Sequence, residues 1–230
     1  MEQIKSKQRV EQFGEVFTPP EIVSEMLDLM DEEIRKIESR ILEPSCGNGA
    51  FLVPILERKL ETVMNPSSTD SDLVINSALI ALMSVYGIDY LEDNIEECRA
   101  NLHNSFLTMI PSELITETIE QAVRHILTLN IQQGDSINMK TPSGDDLIFI
   151  QWGVSEDGGF RYIRKGVKRI VNDAKAKKSQ LDDQNSQDEQ EDWTEITLPQ
   201  ISKLLIPSNS QESVDENVEH RVQETLFKTR

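Results

Sequence analysis

Cysteine, histidine and basic residues are all scarce in this chain of 230 residues, and each scarcity narrows what it can be. Two cysteines, Cys46 and Cys98, make no disulfide framework, so a reduced, cytoplasmic compartment is the natural expectation. Three histidines, His103, His125 and His220, stand at no metal-ligand spacing with those cysteines, and no metal is expected. Lys and Arg number 23 against 41 Asp and Glu, a formal charge of −18 that repels a polyanion and slows its encounter. That balance argues against an autonomous DNA-binding enzyme unless a local basic face or a second polypeptide supplies the groove. Long apolar runs are missing too. The most apolar stretch, Leu73 to Leu91, is broken by Asn76, Ser77, Ser84, Gly87 and Asp89 and reads as helix then strand rather than a membrane span. No signal peptide is visible.

What the chain does contain is a glycine turn between a short apolar strand and an apolar helix, Ile41-Leu42-Glu43-Pro44-Ser45-Cys46-Gly47-Asn48-Gly49-Ala50-Phe51-Leu52. Glycine at 47 and 49 allows positive φ and carries no Cβ, so a ligand can lie against backbone where the next helix exposes unpaired N–H groups. A turn that is glycine-rich only for packing would look the same in isolation. Three other segments agree with the cradle. Thr18 is placed to cap a helix, with Pro19 at the first helical position and Glu21 completing a capping box. Val85-Tyr86-Gly87-Ile88-Asp89 reads as a second buried strand ending in a carboxylate, and Asn130 to Asp135 as a third. In a parallel α/β sheet the ends of all three strands would meet at one crevice.

In order and residue type these four segments resemble the N6-adenine DNA methyltransferase family. Phe17-Thr18-Pro19-Pro20 is similar to its N-terminal motif, Glu43 to Gly49 to its acidic-Pro-x-Cys-Gly-x-Gly loop, Tyr86 to Asp89 with Asn94, Arg99, Asn101 and Leu102 to its ribose-holding segment, and Gly134-Asp135-Ser136 to its adenine-reading segment. The resemblance implies S-adenosyl-L-methionine as cofactor, held by Phe17, Thr18, Pro19, Glu43, Ser45, Cys46, Gly47, Gly49, Asp89, Tyr90 and Asp135. It also implies an adenine-specific DNA methyltransferase of a restriction-modification type system. The chemistry of those positions is compatible. Asp89 can accept from ribose hydroxyls, Asp135 from an exocyclic amine, and Thr18 with the helix it caps could hold a carboxylate.

The family's catalytic Asn/Asp/Ser-Pro-Pro-aromatic tetrapeptide is lacking, so no catalytic residue is assigned. After Asp135 stands Asp146-Leu147-Ile148-Phe149-Ile150-Gln151-Trp152-Gly153, a plausible fourth strand. Gln151 with Trp152 could imitate the missing grip on a flipped base, although a strand end with a partly buried indole is the plainer reading. The runner-up function is accordingly a cofactor-binding, non-catalytic subunit, or half of a split methylase whose partner brings that motif and target recognition.

The expected architecture is α/β, a doubly wound, mainly parallel sheet of the Rossmann-like methyltransferase type, with an acidic, partly disordered C-terminal extension. Helices are expected over 19–37, 50–63, 73–84, 91–108 and 112–127, and strands over 40–43, 85–89, 129–134 and 146–151. Three units follow: a methyltransferase-like domain over 1–178, a disordered acidic linker over 179–195, and an extension over 196–230 with an amphipathic helix at Val214 to Phe227. The basic stretch includes Arg161, Arg164, Lys165, Lys168 and Arg169, with an edge strand at Gly159 to Arg164 and a short helix at Val167 to Lys177. It could touch DNA phosphates or equally form a solvated face against an acidic neighbour.

Overall fold

The computed structural model describes residues 4–65, 70–155, 158–170 and 192–204. It opens with α1 (Lys7–Phe13), started by Ser6, whose hydroxyl oxygen accepts from the Arg9 N–H, and stopped by Gly14 at φ 65°. The single helix expected over 19–37 is two, α2 (Pro20–Asp28) and α3 (Asp31–Ile34). Thr18 does not cap α2, and the expected capping box with Glu21 is not made: Pro19 holds the N-cap position at ψ 144° with no side-chain bond. Pro20 is the reason, because a residue before proline is pushed out of the α region, which delays the helix by one position.

Next come β1 (Ile41–Glu43), α4 (Leu52–Met64), α5 (Ser71–Met83), β2 (Val85–Asp89) and α6 (Glu92–Met109), close to their expected bounds. The helix expected at 112–127 splits into a 3-10 turn, Ser112–Leu114, and α7 (Glu117–Asn130), whose cap is the Thr116 hydroxyl. β3 (Ile131–Gln133) follows. These strands pair in parallel in the order β1-β2-β3, with Ile41 opposite Val85 and Gly87 opposite Ile131. The strand order does not reverse among the described residues, so the expected double winding is not built by them. β2 is buried throughout, as a parallel strand covered on both faces must be.

Leu52, Leu56 and Leu60 of α4, Leu79 and Leu82 of α5, and Leu102 and Phe106 of α6 are fully buried in the core around this sheet. Lys59 is buried among them. Its Nζ donates to the Lys36 and Ser39 carbonyls at 2.7 and 2.8 Å, which fastens the segment before β1 to α4. Burial lowers its pKa to about 8.

The remaining strands are antiparallel. β4 (Ile148–Val154), β5 (Phe160–Gly166) and β6 (Thr194–Ile196) form a second sheet in that order, followed by α8 (Leu198–Ile201). The strand expected at 146–151 therefore does not extend the parallel sheet, and the one expected as an edge, at 159–164, is central. A turn with Gly158 at φ 84°, closed by the Ser155 N–H to the Gly159 carbonyl at 2.9 Å, folds the chain back locally before any crossover helix can intervene. Residues 194 and 195, expected within the linker, form strand β6 with Ile196, the first residue of the expected extension. Residues 167–170 are helical; the rest of the helix expected to Lys177, linker residues 179–191 and the helix expected at 214–227 lie outside the described residues.

Buried hydrogen bonds join the two sheets. The Tyr86 hydroxyl donates to the Ile150 carbonyl at 3.0 Å, and the Trp152 indole N–H to Asn130 Oδ1 at 2.9 Å. Asn130 Nδ2 in turn donates to the Met83 and Val85 carbonyls, both at 3.1 Å.

Candidate functional site

Beyond the carboxyl ends of β1, β2 and β3 lies a crevice of about 420 Å³, within the range of small-molecule sites. Four segments of chain line it: the end of α1 with the arm after it (Phe13 to Phe17), the glycine loop (Pro44, Ser45, Gly47), the end of β2 (Asp89, Tyr90, Leu91, Asn94) and the end of β3 (Gly134 to Ile137). Of the predicted residues, Phe17, Ser45, Gly47, Asp89, Tyr90 and Asp135 thus come together.

The loop is anchored by the Cys46 N–H to the Ile88 carbonyl at 2.9 Å and tightened by the Gly49 N–H to the Cys46 carbonyl at 2.8 Å. Gly47 stands at φ 51°, and a Cβ there would come within 3.1 Å of the Phe17 ring, so this position needs glycine for both conformation and approach. Its N–H donates to Asp89 Oδ2 at 3.0 Å. Asp89 Oδ1 accepts from the Leu91 N–H at 2.9 Å and from Asn94 Nδ2 at 3.2 Å. The carboxylate is therefore nearly buried and orientationally fixed, yet each of its oxygens offers two acceptor sites, so the set retains acceptor capacity for a hydroxyl in the crevice.

Asp135 is organised differently. Its Oδ1 accepts from the Ile137 and Asn138 N–H groups at 2.9 and 3.0 Å, and Oδ2 accepts from Asn138 Nδ2 at 2.7 Å. Bonds to the Asn138 backbone and side chain hold its pKa below the ordinary carboxylate value. The side chain mostly folds its own loop. Tyr90, largely exposed, places its ring 6.2 Å from that of Phe13 at the edge of the crevice.

Other predicted residues serve the loop or sit elsewhere. Glu43 Oε1 accepts from the Ser45 N–H at 3.1 Å and shapes the turn. Cys46 packs inward against Gly87, where an added Cβ would lie 2.9 Å from its sulfur. Bonding to Cys98 and burial push its thiol well above the ordinary range, so it is no nucleophile. Gly49 backs onto Cys98, and with Thr18 it lines a separate cavity of about 510 Å³ between α2, α4 and α6. Pro19 lines neither space. The anion pocket expected from Thr18 and a capped helix end is thus not assembled.

Glu15 and Asn94 are prominent in the crevice wall although neither stands among the predicted binding residues. Asn94 lies within the segment that resembled a ribose site, whereas Glu15 pairs with Arg9 nearby and takes its place in the wall through Asn94, 79 positions away. Trp152 is buried on Asn130, away from the crevice, which matches the plainer reading of Gln151 and Trp152. The basic positions do not form one face. Alternation along β5 sends Arg161 and Lys165 to the side opposite Arg164. The Arg161 guanidinium lies 4.7 Å from the Trp193 ring, and Lys168 Nζ pairs with Asp146 at 3.3 Å. Among the described residues no group of three or more His, Cys, Asp or Glu side chains could hold a metal, and no helix is long and apolar enough to cross a membrane.

A family model described as N-6 DNA Methylase matches residues 3–120, which span the arm, the glycine loop and Asp89 but end before Asp135 and the antiparallel sheet. No curated protein and no solved structure matches the chain.

Proposed function

The chain belongs to the N-6 DNA methylase family, and from that premise we propose that the crevice binds S-adenosyl-L-methionine for methyl transfer to adenine N6 in DNA, within a restriction-modification type system. The observation that carries this reading is the convergence of Phe17, Ser45, Gly47, Asp89 and Tyr90 on one crevice at the ends of parallel strands. The donor set suits the group. Asp89 Oδ2 offers an acceptor for a ribose hydroxyl, Gly47 lets the ligand approach backbone, and Phe13 with Tyr90 offers ring faces at the rim. When bound, the cofactor supplies an electrophilic sulfonium methyl. This chain's own part is positioning, the source of much of the rate in a transfer between two aligned reactants.

Calorimetric titration with S-adenosylmethionine tests the reading. The unaltered chain binds, and Asp89→Ala weakens binding by about tenfold or more, the cost of losing a charged acceptor in a nearly buried site. Equal binding by both chains overturns the assignment of Asp89.

A second reading, a cofactor-binding subunit that needs a partner for catalysis, is favoured by a specific feature. The lining of the crevice contains no Pro-Pro-aromatic segment, and among the described residues β1 pairs with β2 alone. Transfer of labelled methyl from the cofactor to unmodified DNA by the chain alone contradicts this second reading. Binding without transfer supports it. DNA contact through Arg161, Arg164, Lys165, Lys168 and Arg169 belongs to the proposal as well; a steep fall of affinity with salt, lessened in Arg164→Ala, is the expected sign.

A further inference from the structure

One wall of the crevice is held in place without apolar burial. α1 buries no residue, and both its last residue, Phe13, and Val16 after it stand exposed. Polar contacts dock this arm on the start of α6. Arg9 bridges Glu15, at 2.5 and 2.7 Å, and Asp93, at 2.6 Å, while Lys5 reaches Glu97 at 2.6 Å.

Asn94, 1% exposed, is where these contacts meet. Its Oδ1 accepts from Lys5 Nζ at 2.9 Å and from Arg9 Nη2 at 3.2 Å. Its Nδ2 donates to Glu15 Oε1 at 2.7 Å and to Asp89 Oδ1 at 3.2 Å. Two sheltered acids, one on the arm and one at the end of β2, therefore share a single carboxamide. Burial raises the Glu15 pKa, but the bonds from Arg9 and Asn94 outweigh it and keep the group below the ordinary carboxylate value.

We propose that Glu15 is a positioning residue for the nucleoside end of the cofactor, acting through Asn94 on Asp89, so that docking of the arm and occupation of the crevice are one coupled equilibrium. The proposal rests on the cofactor reading above. Glu15 fixes the carboxamide plane of Asn94, and Asn94 fixes the carboxylate of Asp89. Arg9 lets the two acids coexist, because a nearby cation offsets the cost of burying like charges. Coupling is reciprocal: if a docked arm strengthens binding, the ligand must protect the arm to the same degree.

The test uses the full chain and its Glu15→Ala and Glu15→Gln variants, titrated with S-adenosylmethionine and followed by hydrogen exchange of the arm amides. Glu15→Ala is expected to weaken binding by about tenfold, the usual worth of a hydrogen bond to a charged group, with little change in Tm because α1 buries no residue. Glu15→Gln, which keeps an acceptor for Asn94, is expected to restore most of the affinity. The cofactor should slow exchange across residues 5–17 in the unaltered chain and not in Glu15→Ala. Binding by the unaltered chain with equal binding by Glu15→Ala overturns the positioning role alone. Failure of the unaltered chain to bind removes the cofactor reading and this proposal with it.

Discussion

The parallel and antiparallel halves of this molecule are stabilised by different means. In the parallel half, helices α4 to α7 supply fully buried leucines and isoleucines to a sheet whose central strand never meets solvent. In the antiparallel half, β4 mixes buried with half-buried positions and β5 buries only Phe160; Trp152 and Tyr162 place their rings 6.4 Å apart, and Arg161 lies over Trp193. The crevice belongs to the better-buried half. The sheet end holds Gly47 and Asp89 to fixed positions through buried strands, whereas the arm that forms the facing wall is held by polar contacts alone.

That contrast can be broken by substitution. Phe106→Ala, at a fully buried position of α6, should cost about 3–5 kcal/mol in urea unfolding, well above Phe160→Ala in β5; equal losses would contradict the division. Asn130→Ala, at the junction, strips partners from two buried carbonyls and the Trp152 indole and should cost about 3 kcal/mol. If the halves unfold as one unit, a single transition shifts; two separated transitions would show that Asn130 couples them.

Lys59 sharpens the comparison through pH. Its folded pKa, about 8, lies below the ordinary 10.5, so the unfolded chain binds the proton more tightly. The penalty for burying the ammonium is fully present below pH 8, and stability contributed by this site rises between about pH 8 and 10.5, at up to roughly 1.4 kcal/mol per pH unit. Lys59→Met should remove that slope, and an unchanged slope would show that the two carbonyl bonds keep the ammonium charged throughout. The smallest effect is expected at Trp193→Ala, where loss of the guanidinium contact should cost about 1 kcal/mol or less.

Several of these features were legible in the sequence. A run such as Val85 to Asp89, apolar and ending in an acid, is a buried strand by composition, and Gly47 announces a turn by its lack of Cβ. The start of α2 was misplaced because two prolines compete for the first position and the second one wins. The direction of β4 was misjudged because a buried strand looks alike in either direction, and only the return through Gly158 decided it.

By itself, the sequence determined what depends on neighbours along the chain: the order of strands and helices, the glycine loop, and the acids at the strand ends. Tertiary structure alone decided which of those residues share a space. Thr18 and Gly49 face a second cavity while Phe17 and Gly47 face the crevice, a separation of one or two residues that only backbone direction sets. Glu15 gains its place by reaching Asn94, 79 positions away. Hydrogen bonds of that span form when packing brings two elements within about 3 Å, and no local pattern encodes that approach.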